Sequence, residues 1–134
     1  MKIQQELHHR LHGLGQAFLV EFYEAELTRH PENLQALAEL GHLHTLQGNL
    51  ERGLAIDRRL VRLVPEDPTA RYNLACSLAL TGRRDEALDC LELAVQLGYD
   101  EPAHLLQDED LASLRGEPRF QTLVARLTAE HSAR

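Results

Sequence analysis

Two stretches of this chain are built on one plan, and that repetition limits the fold more than any other feature. "LAELGHLHTLQGNLERGLAIDRRLVRLVPED" begins at Leu37, and "RYNLACSLALTGRRDEALDCLELAVQLGYDE" begins 34 residues later at Arg71. Pro31 and Pro65 stand at this spacing, as do Leu40 and Leu74, Gly41 and Ala75, Gly48 and Gly82, and Leu60 and Ala94. Size class is preserved along with position. A period of this length marks a supersecondary unit that buries its apolar face only by stacking on a neighbour.

Within each unit apolar residues recur at three and four, and no segment alternates as a strand, so helix is expected throughout. Ile3, Leu7 and Leu11 suggest a first short helix, which Gly13 and Gly15 interrupt. Leu14, Phe18, Phe22 and Ala25 form the stripe expected of a second helix, broadened by Leu19 and Tyr23 and closed at His30-Pro31. A third carries Leu37, Leu40, Leu43 and His44 to the turn at Gly48-Asn49, and a fourth runs from Leu50 to Val64. Asp67 is placed to cap the next helix, with Pro68 in its first turn. Gly41, Gly53, Ala75 and Ala87 are small where paired helices approach. Leu37, Leu40, Leu74, Leu78 and Leu91 fill the space between them.

The residues "YNLACSLALTGRRDEALDCLELAVQLG" resemble the tetratricopeptide repeat family. Leu74, Ala75, Gly82, Ala87 and Ala94 match its pattern, and Leu40, Gly41, Gly48 and Pro65 match it in the preceding unit. Gly53 and Leu60 replace two usual alanines, Asp57 stands where a large aromatic is usual, and Arg71 replaces a tryptophan or large apolar residue. A return of the chain at Pro65–Pro68 suggests that Asp57 and Arg71 form one ion pair. The closing "DEDLASLRGEPRFQTLVARL" resembles a degenerate terminal unit, with Phe120, Leu123, Val124 and Leu127 on one face after Pro118. Asp108, Glu109 and Asp110 are expected to cap a short helix near Leu111. The resemblance implies an all-α fold of antiparallel helix hairpins stacked as a short solenoid. We expect one domain over 1–134: N-terminal helices to 31, repeats 32–65 and 66–99, and a capping repeat 100–134.

The family's fold implies a concave groove lined by the first helix of each unit. Carried onto this chain, the groove residues are Gln35, Ala38, Glu39, His42 and Thr45, then Thr69, Tyr72, Asn73, Cys76 and Ala79. No lysine or arginine stands among them, which argues against a clamp for acidic tails. The expected partner is a protein or peptide, neutral or basic, with an apolar anchor. The alternative is a self-associating protein whose groove is filled by its own N-terminal helix or another copy, giving a homo-oligomer.

Charge and composition exclude other classes. A net charge of −7 disfavours nucleic acid and anionic membrane surfaces, and no run reaches the ~20 apolar residues of a membrane span. With two cysteines, Cys76 and Cys90, free thiols and a cytoplasmic location are expected. No catalytic signature stands out: Gly-Leu-Gly at 13–15 lacks a preceding strand, and Cys76 as a nucleophile would need a base such as His42 of the neighbouring repeat held against it, so a small packing residue is the preferred reading. His8 and His12 share a helical face at a chelating spacing, but a third ligand is missing, so a solvated face is preferred to a metal. His44 is expected to be half-buried and hydrogen-bonded near Leu40. The expectation is a non-catalytic adaptor or scaffold without cofactor or metal.

Overall fold

A computed structural model describes residues 15–134. Ile3, Leu7, Leu11, Gly13, Leu14, His8 and His12 lie outside the described residues, and so do the expectations that rest on them. The described residues are helical: α1 (Gln16–Arg29), α2 (Leu34–Leu46), α3 (Leu50–Leu63), α4 (Pro68–Leu80), α5 (Arg84–Gln96), α6 (Pro102–Gln107), a 3-10 helix (Glu109–Leu114) and α7 (Pro118–Ser132). No strand occurs among them. They fall into two compact units, one ending at Ile56 and the other running Asp57–Arg134.

In the first unit α1 packs on α2, and α2 on the start of α3. Leu19, Tyr23 and Leu27 are the buried face of α1, whereas Phe18 is 44% exposed and Ala25 is exposed. The stripe expected from Leu14, Phe18, Phe22 and Ala25 is therefore corrected by one residue. Two adjacent apolar stripes run along this helix, and only packing against α2 selects between them. Asn33 caps α2, its Oδ1 accepting from the Ala36 amide at 3.1 Å while its Nδ2 donates to Glu26 at 3.2 Å. Gly48, at φ 80°, makes the turn into α3 in the left-handed region that favours glycine. Gly53 then lies flat against α2: a Cβ there would stand 2.7 Å from Thr45 Oγ1 and 3.2 Å from the Gly41 carbonyl.

The second unit opens with the last two turns of α3, where Asp57, Leu60 and Val61 are buried. Asp67 caps α4 as its position suggested, accepting from the Thr69 and Ala70 amides at 2.8 and 3.2 Å, with Pro68 in the first turn. Gly82, at φ 81°, repeats the Gly48 turn into α5. Ala75, Leu78, Ala87, Leu88 and Leu91 meet between α4 and α5 and are almost inaccessible. The small residues let the helix backbones approach and the leucines fill the gaps beside them.

The period continues further than the sequence resemblance. Leu34, Pro68 and Pro102 begin helices 34 residues apart, and Gly48, Gly82 and Gly116 follow each at the same offset. In the third member the helix is broken: α6 ends at Gln107, Asp108 adopts extended angles (φ −72°, ψ 113°), and the 3-10 turn completes the span. Asp108 stands in the column that Leu40 and Leu74 occupy in the other units. A carboxylate cannot take the buried site of that leucine without a large desolvation cost, so the helix opens and the side chain turns elsewhere. α7 then closes the unit on Phe120, Leu123, Val124 and Leu127, all buried. Arg119 on α7 donates to Asp89 and Glu92 of α5, both at 2.6 Å.

Candidate functional site

The sequence-derived groove residues divide between the two units and take different environments. On α2, Gln35 and His42 are exposed, while Ala38, Glu39 and Thr45 are half-buried. Leu34 and Leu46, at the two ends of this helix, are 44% and 54% exposed. Asn33 caps α2 and Leu37, Leu40 and Leu43 bury its other face, which leaves this face the accessible one. Thr45 Oγ1 donates to the Gly41 carbonyl at 3.1 Å, on the side where Gly53 of α3 approaches.

His44 departs from its expected setting. It is 4% exposed rather than half-buried, and its Nδ1 has no hydrogen-bond partner. Burial holds the imidazole below its ordinary pKa; Glu24 opposes that shift and Arg52 adds to it. His44 is a buried core residue whose uncharged form the burial favours.

On α4, Thr69 is exposed and Asn73 half-buried, but Tyr72, Cys76 and Ala79 are buried. The residues covering this face belong to the same unit. The Tyr72 ring stacks on Tyr99 with centroids 4.6 Å apart and an interplanar angle of 4°, and His104 lies against it at 5.4 Å. Its hydroxyl donates to Asp108 Oδ2 at 2.5 Å, and Cys76 Sγ stands 3.7 Å from the same oxygen. The open groove drawn through Tyr72 and Cys76 from sequence is therefore corrected: the chain's own segment from Tyr99 to Asp108 lies over them, and Ala79 is buried as well. The leucine-to-aspartate change at Asp108 causes this, because the broken helix directs its carboxylate back to the tyrosine and the thiol.

Asp108 organises this cluster. Its Oδ1 accepts from the Asp110 amide at 3.0 Å and so caps the 3-10 turn, in keeping with the role expected of the acidic run. Its carbonyl accepts from Arg115 Nη2 at 3.3 Å, and His104 Nε2 lies 3.6 Å from Oδ2. Burial pushes the Tyr72 and Cys76 pKa values well up, with nearby negative groups adding to the shift, so both keep their protons at neutral pH. The Tyr99 hydroxyl lies beside that of Tyr72 yet has no well-formed hydrogen bond. Sequence reasoning missed Tyr99, His104, Asp108 and Asp110 as partners of α4. Extending the 34-residue period to Pro102 was the signal that could have found them, since it exposes the aspartate in a leucine column.

The two departures at Asp57 and Arg71 are also resolved separately. Asp57 is 7% exposed and accepts a short hydrogen bond from Ser77 Oγ, whereas Arg71 Nε donates to the Pro65 carbonyl at 3.2 Å. The expected Asp57–Arg71 pair does not form. Ser77 sits on α4 six residues beyond Arg71 and meets Asp57 of α3, while the guanidinium bonds the Pro65 carbonyl and lies beside Cys90. Cys76 and Cys90 are free thiols. Among the described residues no helix is long and apolar enough to cross a membrane.

No family model matches the chain. Among curated proteins it is similar to "Protein CTR9 homolog" of Arabidopsis thaliana, 32% identical over 108 residues, covering 72% of this chain and 10% of that protein. It is also similar to "TPR repeat-containing thioredoxin TTL4" of the same organism, 36% identical over 81 residues, covering 60% of this chain and 11% of that protein. The chain thus spans about a tenth of the length of the curated relatives it matches. Similarity to a protein named for such repeats coincides with a 34-residue period, paired antiparallel helices and glycine turns at Gly48 and Gly82. The helical repeat of this chain is of the tetratricopeptide type.

Proposed function

We propose that the chain is a non-catalytic protein-interaction module whose docking surface is the outer face of α2. The observation that carries this reading is the exposure of Leu34 and Leu46 on a capped helix whose face between them offers Gln35, Ala38, Glu39, His42 and Thr45. Exposed leucines supply apolar anchoring, and the polar residues between them can pair with a ligand backbone. Glu39 is the formal charge in this set, and the chain carries −7 overall, so the fitting partner is a neutral or basic peptide segment with an apolar anchor. In the second unit Thr69 and Asn73 retain accessible surface on α4, whereas Tyr72 and Cys76 act as internal supports.

A panel of short peptides with one apolar anchor and either basic, neutral or acidic flanks tests the reading by fluorescence anisotropy. Basic and neutral members should bind, and Leu46→Lys should weaken them about fivefold or more while leaving the melting temperature unchanged. Equal binding of the acidic members, or indifference to Leu46→Lys, would remove α2 as the docking face. The exposed Leu34 and Leu46 also suit a second reading, a self-associating protein in which the chain's own N-terminal helix or another copy fills the groove. Light scattering separates the two, since that reading requires an oligomer whose size changes when residues 1–14 are deleted.

A further inference from the structure

We propose that Cys76, His104, Asp108 and Asp110 form a binding site for a borderline divalent cation of the zinc class. The sequence reading assigned no metal to the chain, and the proposal is independent of the docking face on α2. Donor atoms of Cys76, Asp108 and Asp110 all lie within 4.8 Å of one another, although they come from α4, the break after α6, and the 3-10 turn. Cys76 Sγ is 3.7 Å from Asp108 Oδ2, and His104 Nε2 is 3.6 Å from that oxygen. Zinc bonds of about 2.0–2.3 Å arranged tetrahedrally place neighbouring donors about 3.3–3.7 Å apart, so the Cys76–Asp108 separation suits ligands of one ion, while His104 stands outside the mutually close set and joins it by turning its ring.

The donor set selects the metal. Sulfur and imidazole beside two carboxylates favour zinc and its neighbours, whereas calcium and magnesium require shells of oxygen. His104 is 54% exposed, so its ring has room to rotate onto the ion. Tyr72 donates to Asp108 Oδ2 at 2.5 Å and would hold the ligating carboxylate in place, the kind of outer support that metal sites use. Tyr99 closes the cluster on its other side, its ring stacked on Tyr72 and its hydroxyl beside the Tyr72 hydroxyl. Binding replaces the thiol proton, which passes to solvent, and no electron is exchanged. The ion would tie the broken third helix to α4.

The test is titration of the full metal-free chain with Co²⁺ as a spectroscopic probe, followed by competition with Zn²⁺, in a background carrying His8→Ala and His12→Ala. One equivalent should bind with a thiolate-to-metal charge-transfer band and tetrahedral visible absorption, and Zn²⁺ should abolish both. Cys76→Ser should remove the band, Cys90→Ser should keep it, and His104→Ala should weaken binding about tenfold or more. Because Cys76 is buried, the exposed His104 decides the matter should Cys76→Ser fail to fold. Absence of a stoichiometric band, its loss with Cys90→Ser alone, or unchanged affinity in His104→Ala would overturn the site.

Discussion

Asp57 is a buried carboxylate held by a single neutral hydroxyl, and Asp57→Asn should make the protein more stable at neutral pH. Burial raises its pKa from the ordinary 3.8 to about 6, and the hydrogen bond from Ser77 only partly opposes this; no cation contributes. The folded state thus binds the proton more tightly than the unfolded chain does. The group's contribution to stability is complete below pH ~4, declines as the pH rises towards about 6, and is lost above it. A rise of about two units corresponds to ~3 kcal/mol withheld from the folded state at pH 7.5. Asparagine has the same shape, keeps an oxygen for the Ser77 hydroxyl and carries no charge, but its amide N–H groups then need partners at a cost of ~1–2 kcal/mol. The net expectation is a gain of ~1–2 kcal/mol at pH 7.5, about 3–8 °C in melting temperature for a chain of this size. Near pH 4, where wild-type Asp57 is protonated, the gain should vanish or reverse. Melting both proteins from pH 4 to 8 and taking the difference cancels the other carboxylates. Parallel curves across that range would refute the buried-charge argument, since a packing effect alone carries no pH dependence.

Three further perturbations probe the packing. Leu74→Ala, buried on α4, should cost about 2–5 kcal/mol in denaturant unfolding, and Gln35→Ala on the exposed face of α2 should be nearly silent. Tyr72→Ala removes both the ring stack on Tyr99 and the bond to Asp108, so calorimetry should register a loss of about 3–5 kcal/mol; an unchanged melting point would place Tyr72 outside the core. Gly53→Ala improves helix propensity by ~1 kcal/mol but drives a methyl against Thr45 Oγ1, so it should be neutral or destabilising alone and stabilising once Thr45→Ala is added. Additive effects of that pair in chemical denaturation would show that the α2–α3 approach is looser than the distances indicate.

Local pattern was enough to find the repeats, because a helix hairpin leaves its mark within 34 residues: leucines at helical spacing, small residues at the close approach, a glycine at each turn and a capping aspartate before proline. Those features act on the chain near where they are written, and the elements from α2 to α5 follow them. Which of two apolar stripes on α1 faces inward was not decided locally, since Phe18 and Leu19 are equally apolar and only α2 distinguishes them. The pairing of Asp57 with Ser77 was hidden for a related reason. Sequence shows that an unusual charge and an unusual arginine exist, but which side chains meet depends on how α3 lies on α4. The cluster around Asp108 is the furthest from local rules. A carboxylate in a leucine column opens the helix, and the freed segment lays Tyr99, His104 and Asp108 over Tyr72 and Cys76, some 30 residues away in sequence. Periodicity determined the repeating unit; where the period broke, the cost of burying a charge required a partner, and only tertiary structure chose it.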